Sequence, residues 1–120
     1  MNYRQDMEKS MNYIEVHFSE TLTAQMIADH VGYSLYHYCR IFLAYYGIPV
    51  MGYVRKRRLS LACQDLVEGK KVVDVALQYG FETPSGFSKA FRKEFDLSPT
   101  MLTKSTKDLK LKPFMIKKSF

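Results

Sequence analysis

Four side chains able to donate hydrogen bonds recur at helical spacing in VALQYGFETPSGFSKAFRKEF, residues 75–95. Ser85, Ser88, Lys89 and Arg92 would share the outer side of a helix whose other side carries Phe87, Phe91 and Phe95, each four residues apart. A helix packed through aromatics and offering short polar and cationic groups outward suits insertion into a DNA groove. It does not suit catalysis. No nucleophile, base and orienting acid can be assembled from this chain, and it has no glycine-rich phosphate loop, so an enzyme is not expected. His17, His30 and His37 lack zinc-binding spacing and read as surface or cap residues. Cys39 and Cys63 are too few for a disulfide framework and have no metal-ligand spacing. Neither a metal nor a cofactor is expected.

The same pattern occurs earlier in the chain. Ala28, Gly32 and Tyr33 match Ala76, Gly80 and Phe81 at an offset of 48, and Tyr38, Phe42 and Tyr46 match Phe87, Phe91 and Phe95 at 49. Arg40 matches Lys89 at 49, and Pro49 matches Pro99 at 50. Such a drift fits one residue added in the second turn and one more after the second helix. An internal repeat of this kind means two copies of one helix-turn-helix unit.

These units must be positioned by helices, and the periodicity predicts seven. The first runs from about Tyr3 to Phe18, with Met7, Met11, Ile14 and Phe18 as its apolar stripe. Thr23 caps a short helix over 24–31 with Met26, Ile27 and Val31 inward; Gly32 follows at the turn. Ser34 caps a third helix over 35–46, closed by Gly47. Its inner face is Leu35, Tyr38, Phe42 and Tyr45 or Tyr46, and its outer face Tyr36, Cys39, Arg40 and Leu43. Pro49 opens a connecting helix from about Val50 to Glu68, nineteen residues. That length is roughly 28 Å at about 1.5 Å per residue. Its apolar residues spread round more than one face, as in a rod buried from two sides. Its run Arg55, Lys56, Arg57, Arg58 spans a full turn, so at least two must point outward. A fifth helix starts at Val72 or Val73 and ends near Tyr79. Thr83 caps a sixth, with Pro84 at its first position. Ser98 and Pro99 begin a seventh, expected to run through about Thr103. Beyond Lys104 the pattern loses its stripe, and Phe114–Ile116 reads as a short strand with nothing to pair with. The expected division is therefore a first helix-turn-helix subdomain over 1–48, a connecting helix over 49–69, a second subdomain over 70–104, and a tail or linker over 105–120.

The 120 residues and 47% hydrophobic composition suffice for one domain or two small subdomains. The net charge of +6 is unevenly placed: residues 1–54 hold three Lys/Arg against five Asp/Glu, and residues 55–120 hold fifteen against seven. A basic excess confined to part of a chain points to a polyanionic partner, nucleic acid ahead of membrane, or else to a solvated surface. No signal peptide is expected, the sequence has no apolar run of spanning length, and a cytoplasmic location is the default expectation. A helical adaptor for an acidic protein partner is the alternative that charge alone leaves open.

The paired units, the connector YVRKRRLSLAC and the stretch YGFETPSGFSKAFRKEFDLSP together resemble the DNA-binding domain of AraC/XylS-family bacterial transcription regulators. The likeness covers about residues 3–104. Its most specific part is Ala76, Gly80, Phe81, Phe87, Lys89, Phe91, Arg92, Phe95 and the Ser98–Pro99 pair; GYSLYHYCRIF fits the first unit more weakly. The resemblance implies an all-α, seven-helix monomeric module whose units enter adjacent major grooves of double-stranded DNA at an asymmetric site. It implies RNA polymerase as a further partner, no membrane, and any effector-binding domain C-terminal to this chain. The recognition positions it assigns are Tyr36, Cys39 and Arg40 in the first unit and Pro84, Ser85, Ser88 and Lys89 in the second. Ser34, His37, Arg57, Thr83 and Arg92 complete the expected DNA-contacting set. Arg40, whose fork matches guanine O6 and N7, stands as the leading base reader. Backbone N–H groups at the helix starts after Pro49 and Pro99 are expected to hold phosphates.

Overall fold

The structure is a computed structural model describing residues 2–109. Seven helices account for the regular structure of those residues: α1 (Tyr3–His17), α2 (Ala24–Val31), α3 (Leu35–Tyr46), α4 (Val50–Val67), α5 (Val72–Gln78), α6 (Pro84–Phe95) and α7 (Pro99–Leu109). The chain divides into two compact units, one up to Arg55 and one from Lys56 onward. The division falls within α4.

In the first unit α1, α2 and α3 pack pairwise on one another. Met7 and Ile14 of α1, Ile27 and Ala28 of α2, and Tyr38 and Phe42 of α3 are fully buried. The start of α4 adds Val50 and Val54. α1, α2 and α3 each begin where the sequence supplies a cap. Asn2 accepts from Gln5 N at 3.0 Å, Thr23 from Met26 N at 3.2 Å and Ser34 from His37 N at 3.2 Å, each satisfying a donor the helix leaves orphaned. Between α2 and α3 the backbone reverses at Gly32, φ 78°, whose N–H bonds back to Ala28 and Asp29.

Two inward assignments are corrected. Met26 is 41% exposed and Leu35 is 40% exposed. On α2 the buried pair is Ile27 and Ala28. Met26 lies about 100° round the helix from Ile27, on the side away from Ala28. Leu35 is the first residue of α3, one step beyond the part of the stripe that the core covers.

Long-range polar contacts tie α1 to the turn it supports. The Tyr33 hydroxyl donates to Asp6 Oδ2 at 2.6 Å, and Tyr46 donates to the Met7 carbonyl at 3.3 Å. Burial, then the bond to the Asp6 carboxylate, pushes the Tyr33 hydroxyl up to about 12. The Tyr38 hydroxyl is buried too, and its pKa is likewise pushed up to about 12 by burial. It lies near Ser10, whose own hydroxyl donates to Met7 at 3.0 Å, and it has no hydrogen-bond partner of good geometry among the described residues.

In the second unit the later turns of α4 join α5, α6 and α7. Leu59, Leu66, Val75, Ala76, Phe87 and Phe91 are the centre of its core, with Leu102 of α7 at the margin. Asp65 is a buried carboxylate with its acceptors used: Tyr79 donates to it at 2.7 Å and Lys70 at 3.3 Å. Burial and this bond raise the Tyr79 pKa well above the usual phenol value. Tyr79–Asp65 thus does for this unit what Tyr33–Asp6 does for the other.

α7 runs past the expected end near Thr103 to Leu109, so residues 105–109 are helical. No glycine or proline interrupts the sequence from Thr100 to Leu109, and an apolar stripe reports on burial, not on helicity. Ser98 caps this helix through Met101 N at 3.1 Å, as expected. The strand expected over Phe114–Ile116 lies outside the described residues.

Candidate nucleic-acid interface

α3 is fixed at both ends and along one side. Ser34 caps its start and Gly47, φ 76°, ends it with a bond to the Leu43 carbonyl. Tyr38 and Phe42 bury its inner side, their rings 5.9 Å apart, and Phe42 packs onward at a tilt against Tyr46, ring centres 4.7 Å apart. The opposite side is left free. Tyr36 is 72% exposed, Leu43 is 48% exposed, Arg40 is exposed and Cys39 is half-buried. The Arg40 guanidinium sits 5.5 Å from the centre of the Tyr36 ring, a cation–π arrangement from one helical turn to the next. His37 turns toward α1. Its ring stacks on Tyr33 at 5.0 Å, and Nε2 lies 3.3 Å from the Tyr3 hydroxyl, so the helix start is held by its neighbours.

α6 repeats this construction with other chemistry outward. Thr83 caps it through Gly86 N at 3.0 Å and Pro84 occupies its first turn. A Cβ at Gly86 would stand 3.2 Å from the Thr83 hydroxyl, so glycine lets the cap close tightly. Phe87 and Phe91 are fully buried, and Phe81, Phe87, Phe91 and Phe95 form a ladder of rings 4.7–5.6 Å apart. Outward stand Ser85, Lys89 and Arg92, all exposed, with Ser88 half-buried. The helix ends at Asp96 with φ 63°, the position that Gly47 takes in α3.

Of the expected contact residues, Tyr36, Cys39 and Arg40 therefore share one face of α3, and Ser85, Ser88, Lys89 and Arg92 the outer side of α6. Ser34 and Thr83 sit at the two helix starts with their hydroxyls already accepting backbone N–H groups. Arg57 is half-buried on α4, unlike the exposed Arg55 beside it. Its neighbour Lys56 is tied to Glu94 at 3.4 Å.

The α3 face also borders a groove. Ala24 at the start of α2 and Pro49, Val50 and Met51 at the start of α4 flank Tyr36, Cys39, Arg40 and Leu43 around a groove of about 350 Å³. Its walls come from three segments far apart in sequence, and no periodicity within a single helix could have announced it. Only the apolar character of Tyr36, Cys39 and Leu43 was visible beforehand.

Among the described residues no helix is long and apolar enough to cross a membrane, and no group of three or more His, Cys, Asp or Glu could hold a metal ion.

A family profile described as a helix-turn-helix domain matches residues 27–105. The uncharacterized HTH-type transcriptional regulator YbfP of Bacillus subtilis is 33% identical over 100 residues, covering 82% of this chain and 34% of that protein. The HTH-type transcriptional activator AarP of Providencia stuartii is 33% identical over 90 residues, 74% of this chain and 67% of its own length. This chain thus spans about a third of the Bacillus relative and two thirds of the Providencia one. Among solved structures, an AraC-type transcriptional regulator from Chromobacterium violaceum superposes with a TM-score of 0.77 at 27% identity, over 85% of this chain and 92% of that one. With two capped, aromatic-backed helices and these relatives, the chain belongs to the AraC/XylS family of helix-turn-helix proteins.

Proposed function

We propose that this chain is the sequence-specific DNA-binding module of a bacterial transcription regulator, with α3 and α6 as its two groove readers. The observation that carries the reading is the placement of Arg40 and Lys89. Both stand at matched positions on the exposed side of a helix whose other side is sealed by aromatic rings. Arg40 reads a guanine in one half-site. Lys89, with Ser85 and Ser88, reads the other, and Arg92 neutralises phosphate. The two half-sites lie about one helical turn of DNA apart and differ in sequence, because the two readers differ. Ser34 and Thr83 hold the helix starts that face the backbone, while His37 and Arg57 contribute contacts at the margin. RNA polymerase is the second partner, the compartment is the cytoplasm, and no catalysis is involved.

A titration against duplex DNA at several salt concentrations tests this. Affinity should fall steeply, with a slope near −0.9 per phosphate neutralised. Equal affinity for all duplexes, or tighter binding to an acidic polypeptide than to any duplex, would refute it.

A further inference from the structure

We infer that the groove beside Arg40 reads the 5-methyl group of a thymine next to the guanine that Arg40 contacts, so that the first unit recognises a guanine–thymine step by one cation and one apolar cleft. The inference rests on the DNA-reading role proposed above and deepens it.

The groove lies on the side of α3 that carries Arg40, so whatever Arg40 meets must also meet Tyr36, Cys39 and Leu43. Spacings of three and four residues put these side chains on one continuous surface. Their chemistry is nearly devoid of strong hydrogen-bond donors. A major-groove edge offers one apolar feature, the thymine methyl, and a cleft of this kind matches that feature alone. Cytosine would set its amino group against an apolar wall, and leaving that donor unpaired is costly. The Tyr36 ring beneath the guanidinium limits where the Arg40 fork can go, 5.5 Å from the ring centre. Guanine and methyl are then read as neighbours, not independently. The corresponding positions on α6 are Ser85, Ser88 and Arg92, which offer no such surface.

The test begins by selecting the tightest duplexes from a random pool with the whole chain. One half-site should contain guanine flanked by thymine. Replacing that thymine by uracil removes the methyl and nothing else, and should weaken binding about fourfold, the value for returning one such group to water. Replacing thymines in the other half-site should change nothing. Leu43→Ala should bind both duplexes with the affinity that the parent protein shows for the uracil form. Leu43 is 48% exposed and lies outside the buried core, so the variant keeps its fold; Cys39→Ser serves as a second variant, and circular dichroism checks both. Equal affinity for the thymine and uracil duplexes, with selection still yielding a defined site, would overturn the inference and leave the DNA-reading role standing. Failure of selection to yield any site would overturn both.

Discussion

α3 and α6 have the same inner sides and different outer ones. Inward, Tyr38, Phe42 and Tyr46 answer to Phe87, Phe91 and Phe95, and the innermost pair of each set is fully buried. Outward, Tyr36, Cys39 and Leu43 answer to Ser85, Ser88 and Arg92, and only Arg40 and Lys89 keep a common charge. A ring of fixed size fills a fixed space at native packing density, so the inner positions tolerate little change. Outer positions touch solvent or ligand and are free to diverge. The comparison teaches that one scaffold presents two different outer surfaces: a single guanidinium within apolar surroundings, and a field of short hydroxyls and cations.

The largest expected effect breaks the pair at its common charge. Arg40→Ala should cost about 1–3 kcal/mol of affinity for the preferred site and relax its preference at one base pair. Lys89→Ala should cost less, because an ammonium makes no bidentate fork. Fluorescence anisotropy with single-base-pair variants measures both.

Alkaline unfolding examines the supports behind the two readers. Tyr33 is held to about 12 by burial and by Asp6, while an unfolded tyrosine titrates near 10. The stabilisation is therefore complete below pH 10 and is lost as pH rises through about 12. Tyr79 on Asp65 is raised in the same direction. Tyr33→Phe should flatten the alkaline loss measured by circular dichroism, and more so when combined with Tyr79→Phe.

Ends of helices come next. Gly47 and Asp96 hold equivalent left-handed positions, at φ 76° and 63°. A Cβ at Gly47 would meet nothing within 4 Å, so strain there is a matter of backbone alone. Gly47→Ala should destabilise by about 1–2 kcal/mol in urea unfolding, and Gly47→Asp by less, since Asp tolerates this region better.

Exchanging outer residues gives a smaller signal. Arg92→Leu should relieve the salt dependence of DNA binding by about one phosphate. Smallest of all is Tyr38→Phe, which copies Phe87 into the first unit. Removing a buried hydroxyl that lacks a good partner should leave stability unchanged or raise it by under about 1 kcal/mol.

Much of this was legible in the chain because its signals are local. Thr23, Ser34, Thr83 and Ser98 announce helix starts by residue type, and the aromatics spaced by four announce buried faces. Gly32 and Gly47 mark stops in the same way. Other features depend on residues distant in sequence. Tyr33 finds Asp6 and Tyr79 finds Asp65 only once helices have packed, and the groove by Arg40 needs Ala24 and Pro49 brought to it. Met26 and Leu35 were misplaced for a related reason: a stripe gives the angle of a side chain, not where the covering neighbour stops. The continuation of α7 to Leu109 leaves no apolar period in the sequence, because periodicity reports on burial and not on helicity.

The central claim is that one chain carries two unlike readers, and a base-pair scan of the selected site tests it most directly. Each position is substituted in turn, and binding is measured for the parent protein, Arg40→Ala and Lys89→Ala. Two blocks of sensitive positions should emerge, centred about 10 base pairs apart, with Arg40→Ala erasing sensitivity in one and Lys89→Ala in the other. Loss of the same positions in both variants, or a uniform fall across every sequence, would contradict it.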